Sequence, residues 1–352
     1  MRGPAAIDIL LAGNVLARHT PSRTVPGELA LIEAIRRRVP SASRLVRLGI
    51  GDDCAVLRPN AGHDICVTTD FSLEGRHFRR GWHAPESIGH RCLARGLSDL
   101  AAMGAEPLAV FLSLAIPRRL AGDWVERFFA GFLALAREQR VQLAGGDTAE
   151  SHALSGRPEG LIAADIVGVG QVPRCGAVLR STARPGDVVY VTGALGGAAA
   201  ELRALSKNPR KFKKLTDGGV EHPHFFPQPR VAVGRRLRKL VNAMIDISDG
   251  LSTDLAHLCQ SSDVAAIIDE AALPIHPLAA GSGLELALHG GEDYELLFAA
   301  SHDVRIPRRL AGVPIHQIGT MRKASPRQPL VVLNCNDGRH ISVQPGGWEH
   351  FR

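Results

Sequence analysis

Short strand-like runs and amphipathic helical stretches alternate along this chain from about Leu48 onward, and that alternation constrains the fold more than any single motif. His63–Asp70, Pro107–Pro117 and Leu161–Val172 read as strands, the middle one apolar enough for a core position. Between the first two, Ile88, Cys92, Leu97, Leu100 and Met103 fall at helical spacing in a segment closed by Gly104 and Pro107. Asp123, with Glu126 three residues on, predicts an N-cap and a helix to about Arg137. The second half repeats the habit with a strand before Gly193, the helix Ala198–Ser206, a strand–turn–helix over Val241–Cys259, and a Gly-rich turn feeding Tyr294–Ala300. The strict rhythm of a doubly wound sheet is missing, so the fold class is α+β. A chain of 352 residues has room for two domains, expected over 27–170 and 171–352, with 1–26 as a flexible extension.

Composition narrows the function classes. Hydrophobic residues at 45% and charged residues at 22% exclude wholesale disorder. No apolar run approaches the roughly 20 residues of a membrane span, so no membrane partner is expected. The formal charge of +7 suits an anionic partner. Nucleic acid is not that partner on this reading: aromatics are only 5%, and no RRM, KH or zinc-finger pattern interleaves the basic residues. The six cysteines form no C-x-x-C pair, which points to reduced thiols and a cytoplasmic setting. Neither a Walker A sequence nor a G-x-G-x-x-G turn occurs.

Aspartates recur where these strands are expected to end, beside Gly, Ser or Thr: Asp52 and Asp53, Asp70, Asp147, Asp246 and Asp249. Asp99 joins them from the helical stretch. Taken singly, each fits a turn former or a helix cap. Converging in one place, they would repel one another unless a cation neutralised them. An oxygen-only set with no Cys or His beside it favours Mg²⁺ or Mn²⁺ over zinc, and carboxylate-held Mg²⁺ takes further ligands from substrate phosphates. The densest piece is Asp246-Ile247-Ser248-Asp249-Gly250, a turn between strand and helix. Free N–H groups at that helix N-terminus suit a phosphate, with Ser248 as a further donor. Capping of the helix by Asp249 is the structural alternative.

The series has a known counterpart. Gly49-Ile50-Gly51-Asp52-Asp53-Cys54-Ala55, Thr68-Thr69-Asp70, Glu74-Gly75-x-His77-Phe78, Leu97-Ser98-Asp99-Leu100-Ala101-Ala102-Met103-Gly104, Gly145-Gly146-Asp147-Thr148, Asp246-Ile247-Ser248-Asp249-Gly250-Leu251 and Gly290-Gly291-Glu292-Asp293-Tyr294-Glu295-Leu296 follow one another in order. This order closely resembles the thiamine-monophosphate kinases, relatives of aminoimidazole ribonucleotide synthetase and selenophosphate synthetase. The resemblance runs from about Gly27 to Phe351. It implies an N-terminal α/β domain whose strands build a β-barrel across a homodimer, and a C-terminal α+β domain. It also implies transfer of the γ-phosphoryl of ATP onto thiamine monophosphate, giving thiamine diphosphate, with several Mg²⁺ ions and no phosphoenzyme.

Carried over by position, the metal shell is Asp53, Thr68, Thr69, Asp70, Asp99, Asp147, Asp246 and Asp249. Asp53 and Asp249 stand closest to catalysis. The nucleotide contacts are Gly146, Asp147, Arg180 and Ser248, and the substrate pocket is His77, Glu292 and Trp348. The chain departs from the family at Gly96, where Asn is usual, at Phe71-Ser72-Leu73, and in its N-terminal extension. None of these removes a metal carboxylate. The chemistry is coherent, because two polyanions need charge cancellation and in-line positioning. An acceptor phosphate is already ionised and needs no general base.

Sister enzymes fit less well. No reactive Cys in a Gly-rich N-terminal segment marks a selenophosphate synthetase, and Ser248-Asp249-Gly250 stands where an aminoimidazole ribonucleotide synthetase has Thr-Gly-Gly. A regulator that has lost catalysis would not need the complete aspartate set.

Overall fold

The computed structural model describes residues 27–152, 160–212, 222–282 and 284–348; the extension expected over 1–26 lies outside the described residues. Helix α1 (Glu28–Arg36) buries Leu31 and Ile35, four apart on one face. Strands β1 (Val46–Leu48) and β2 (Val56–Leu57) pair antiparallel around the turn that carries Asp52 and Asp53. Strand β3 (His63–Leu73), helix α2 (Pro85–Ala102), strand β4 (Glu106–Ile116), helix α3 (Asp123–Glu138), and strands β5 (Gln142–Glu150) and β6 (Ala163–Pro173) follow.

These four strands form one sheet in the order β3-β6-β4-β5, with β4 and β5 parallel and the other pairs antiparallel. Helices α2 and α3 pack together, and α2 lies on β3 and β6. Phe128, Phe132, Leu93, Leu97 and Ile166, all fully buried, fill the space between. Pro85 opens α2, where its missing N–H costs nothing.

The C-terminal half adds β7 (Val188–Thr192), α4 (Gly197–Lys207), α5 (Pro209–Phe212), α6 (Val231–Leu237), β8 (Ala243–Ile247), α7 (Leu251–Ser262) and β9 (Val264–Asp269). It continues with α8 (Leu284–His289), β10 (Glu295–Ala300), β11 (Arg309–Leu310), β12 (Val313–Lys323), β13 (Val331–Asn334) and β14 (His340–Ser342). Its sheet runs β14-β13-β9-β12-β7-β10-β8, with β11 on β12. Strands β8 and β10 are buried throughout. Helix α2 also touches β8, β10 and α6, so one helix spans the seam between the two sheets.

Two expectations need correction. Strands β3 and β5 do not stop at their aspartates: each runs three residues past Asp70 and Asp147, and Asp246 lies within β8. Both β3 and β5 are edge strands, where polar residues are tolerated along the whole length. Asp123 is the first residue of α3 and Gly122 takes the cap position, without a side-chain cap hydrogen bond. Within one chain the four-stranded sheet is open; no closed barrel forms among the described residues.

Candidate active site

Arg91, Arg95, Ser98 and Asp99 recur at the i, i+4, i+7, i+8 spacing of one helical face. That face of α2 looks toward both sheets. Ser98 Oγ donates to Asp246 Oδ2 of β8 at 2.6 Å, and Thr68 Oγ1 of β3 donates to Asp99 Oδ2. Arg95 Nη2 meets Asp70 Oδ1 at 2.8 Å. The Leu-Ser-Asp segment is therefore the pin that joins strands from the two halves of the chain.

A cavity of about 820 Å³ opens over this pin, with Asp70, Asp99, Asp246, Ser248 and Asp249 along one wall. His77, Glu292 and Trp348 line it elsewhere, together with Trp82 and the arginines Arg76, Arg79 and Arg203. Burial, reinforced by neighbouring Asp246, raises the Asp99 carboxyl to about 7. Burial also raises Asp246, with charge from Asp70 adding to it. Acids raised in this way give up their protons more readily when a cation arrives, and this wall offers it oxygen donors, the ligand type that suits a hard divalent ion.

The turn after β8 is held from within. Asp254 Oδ2 accepts from the backbone N–H groups of Ser248, Asp249 and Gly250, each at 3.0 Å. These amides, which precede the first turn of the helix, are thus spent on a side chain. Gly250, not Asp249, is the N-cap of α7, so the capping alternative for Asp249 falls away. Burial raises the Asp254 carboxyl to about 8, the charges of Asp246 and Asp249 adding to it.

Glu292 is fixed differently. Arg91 Nη2 reaches both its carboxylate oxygens at 2.8 and 2.9 Å, His224 Nδ1 lies 3.4 Å away, and Arg95 Nη1 lies 3.5 Å away. Although burial opposes ionisation, Arg91 and its neighbours hold this carboxyl well below the usual range. Glu292 sits at φ 66°, a left-handed conformation that a packed surround must enforce. His77 Nδ1 accepts from the Leu73 N–H at 2.9 Å, which puts the proton of the neutral ring on Nε2. At the mouth, Trp348 is tied back by its N–H to Asp249 O at 3.1 Å. Gly347 before it admits no side chain: a Cβ there would lie 1.9 Å from Asp249 O.

The remaining expected residues lie elsewhere. Asp53, Gly146 and Asp147 line a second cavity of about 620 Å³, walled by Ile32, Ile35, Phe111, Leu114 and Phe129. Gly146, at φ 151°, presses on β4, where a Cβ would fall 1.9 Å from Leu112 O. Asp70, Ile166, Leu112 and Gly146 occupy one row across the sheet. Three strand spacings put its two ends about 14 Å apart. Asp53 and Asp147 line this second cavity and not the larger one. Thr69 alternates to the exposed face of β3, away from Thr68 and Asp70. Arg180 is exposed and lines neither cavity, although its charge reaches Asp246. At Gly96, the departure from the family pattern, α2 packs against Ile166, with room for a Cβ only at 3.1 Å.

Sequence reasoning missed Arg91, Arg95, Asp254, His83 and His224. The α2 face spacing was the available signal for the arginines. His224 is buried against His83, with Nε2 to Nε2 at 3.0 Å.

Residues 51–172 match the N-terminal domain of AIR synthase related protein, and residues 184–325 match its C-terminal domain. Thiamine-monophosphate kinase of Salmonella typhimurium is 35% identical over 337 residues, covering 92% of this chain and 98% of that one. The chain belongs to the thiamine-monophosphate kinase family. The crystal structure of the family member from Stenotrophomonas maltophilia superposes with a TM-score of 0.73 at 35% identity, covering 89% of this chain and 97% of that one. The complex of AaThiL with AMPPCP and TMP superposes at 0.70 with 30% identity, covering 92% and 97%. Membership makes this chain an enzyme, a thiamine-phosphate kinase with the two-domain α+β fold of the AIR synthase relatives.

Proposed function

We propose that the enzyme phosphorylates thiamine monophosphate to thiamine diphosphate at the expense of ATP, the last step of thiamine diphosphate biosynthesis. The observation that carries this reading is the convergence of Asp70, Asp99, Asp246 and Asp249, from three distant segments, on one wall of a cavity that also exposes His77, Glu292 and Trp348. Asp70, Asp99, Asp246 and Asp249 would hold Mg²⁺, which when bound cancels charge on the two anions and orients their oxygens. The protein groups do the rest. The Asp254 clamp keeps Ser248 and Asp249 in register, and anionic Glu292 offers an acceptor for an N–H or a cationic ring. Trp348 supplies an aromatic face at the mouth. The terminal P–O bond of ATP breaks as an acceptor phosphate oxygen attacks in line, ADP carries away the bridging oxygen, and no covalent enzyme intermediate is needed.

Asp53, Gly146 and Asp147 enter this reading through a homodimer, whereas Arg180, whose charge reaches Asp246 within the chain, would meet the nucleotide from the same copy as the acidic wall. We propose that a second copy lays its loop cavity against the acidic wall and that the paired sheets close a barrel. Support comes from the open β3 and β5 edges and from Ile65, Val67 and Phe71, which leave the outer face of β3 apolar and exposed at 46%, 64% and 58%. The domain division at about residue 170 accords with β6 ending at Pro173. The six cysteines are all free thiols, in keeping with a cytoplasmic enzyme, and no helix among the described residues is long and apolar enough to cross a membrane.

The test is incubation with ATP, Mg²⁺ and one acceptor at a time: thiamine monophosphate, thiamine, selenide or formylglycinamidine ribonucleotide. Mass analysis should find thiamine diphosphate and ADP in the first reaction alone. Turnover of another acceptor in its place overturns the assignment.

A further inference from the structure

Arg95 joins two parts of the cavity that serve different ends. Its Nη2 donates to Asp70 Oδ1 at 2.8 Å, on the wall that fits a divalent ion. Its Nη1 lies 3.5 Å from Glu292 Oε1, on the side where the acceptor's organic part would sit. Glu292 does not depend on it, since Arg91 already forks onto both oxygens of that carboxylate. The guanidinium is also not saturated by protein, because its buried Nε makes no hydrogen bond among the described residues. The other arginines of the cavity are engaged at the mouth: Arg79 lies 4.2 Å over Trp82, Arg76 lies 6.0 Å over Trp348, and Arg203 lies 3.4 Å from Glu285.

We propose that Arg95 recognises the phosphate of the acceptor and so selects phosphorylated over free thiamine. This rests on the function proposed above. A phosphate that reaches the acidic wall from the Glu292 side must pass the Arg95 fork, whose two N–H groups match two phosphate oxygens. In the cavity as it stands Asp70 takes Nη2, and Glu292 stands 3.5 Å from Nη1. A phosphate dianion carries more charge than one carboxylate, takes the fork over, and leaves Asp70 free to face a cation. An alcohol in the same position has no charge to exchange, so free thiamine leaves the Arg95–Asp70 pair intact.

The experiment compares wild type, Arg95→Gln and Arg95→Lys by calorimetric titration with thiamine monophosphate and with thiamine, each in Mg²⁺ and a non-hydrolysable ATP analogue. Arg95→Gln should lose tenfold or more in affinity for the monophosphate, on the scale of charge-assisted hydrogen bonds, and less than about twofold for thiamine. Arg95→Lys, which keeps the charge without the fork, should fall between. Equal losses for both ligands, or none for either, overturn the proposal by reducing Arg95 to a structural ion-pair partner. Should Arg95→Gln fail to fold, the lysine variant decides alone by the same criterion. Wild-type protein that takes up neither ligand defeats the functional reading instead.

Discussion

The cavity under α2 and the cavity at the far edge of the sheet hold comparable space but are made differently. In the first, charged side chains come from strands and helices and are tied before anything binds: Ser98 to Asp246, Thr68 to Asp99, Arg91 to Glu292, Asp254 to three backbone amides. In the second, glycine-rich backbone at Gly49–Gly51 and Gly145–Gly146 faces an apolar wall, and Asp52 and Asp53 stand exposed. The first is preorganised for charge. The second offers close backbone approach and a dry surface. A family motif read along the sequence hides this difference, because both cavities contribute to the same ordered series.

The largest expected effect tests whether the two cavities serve one reaction. Asp249→Asn and Asp53→Asn should each lower kcat by about 100-fold or more, with melting temperatures close to wild type. Wild-type turnover of Asp53→Asn at saturating ATP and limiting Mg²⁺ would break the link, leaving the loop cavity outside catalysis.

A second contrast lies in stability. Burial lowers His83 to about 3 and His224 to about 4, with Arg91 opposing their protonation further. Their folded values lie below the ordinary 6.5, so their contribution is fully present above that pH and is lost as pH falls through 6.5 toward 4. Urea unfolding should show a loss of up to about 3 kcal/mol per histidine by pH 4. A stability profile flat over that range would mean that the wall behind Glu292 is not dry.

Asp99 runs the other way. Its folded value of about 7 lies above the carboxylate norm, so the metal-free fold loses stability as pH rises through 7, and cation binding strengthens over the same range. Thermal melts should show a larger Mg²⁺-induced rise at about pH 8 than at about pH 6. Asp99→Asn should shrink that difference, with Asp246 and Asp254 carrying what remains, and Asp53→Asn should leave it in place. The smallest effect belongs to the mouth: Trp348→Ala should raise KM for the acceptor several-fold, about 1 kcal/mol, and leave KM for ATP unchanged. Equal rises in both would remove Trp348 from the acceptor side.

Much of this was legible in the chain itself. Turn residues and apolar spacing placed α2, β4, β8 and α7, because these elements are buried on nearly every side and their patterns are clean. Strand ends at Asp70 and Asp147 were misread because an edge strand can carry polar residues without ending. Asp254 was invisible since a carboxylate four residues inside a helix looks like a surface group until the turn folds back onto it. Arg91 and Arg95 looked like ordinary helix cations, and only the Glu292 loop, some 200 positions away in sequence and held at a positive φ, gives them a partner. Which aspartates share a cavity is a property of sheet registry, and the 14 Å between edges follows from strand order, which local sequence does not encode.

The most direct test of a site completed by two copies is complementation. Asp53→Asn and Asp249→Asn chains, each inactive, are mixed in equal amounts through unfolding and refolding. If the acidic wall of one copy works with the loop cavity of the other, half of the dimers are mixed and each holds one intact site, so about a quarter of wild-type turnover should return. Turnover that stays at the level of the separate variants would contradict the account, placing both carboxylates in the service of the same chain.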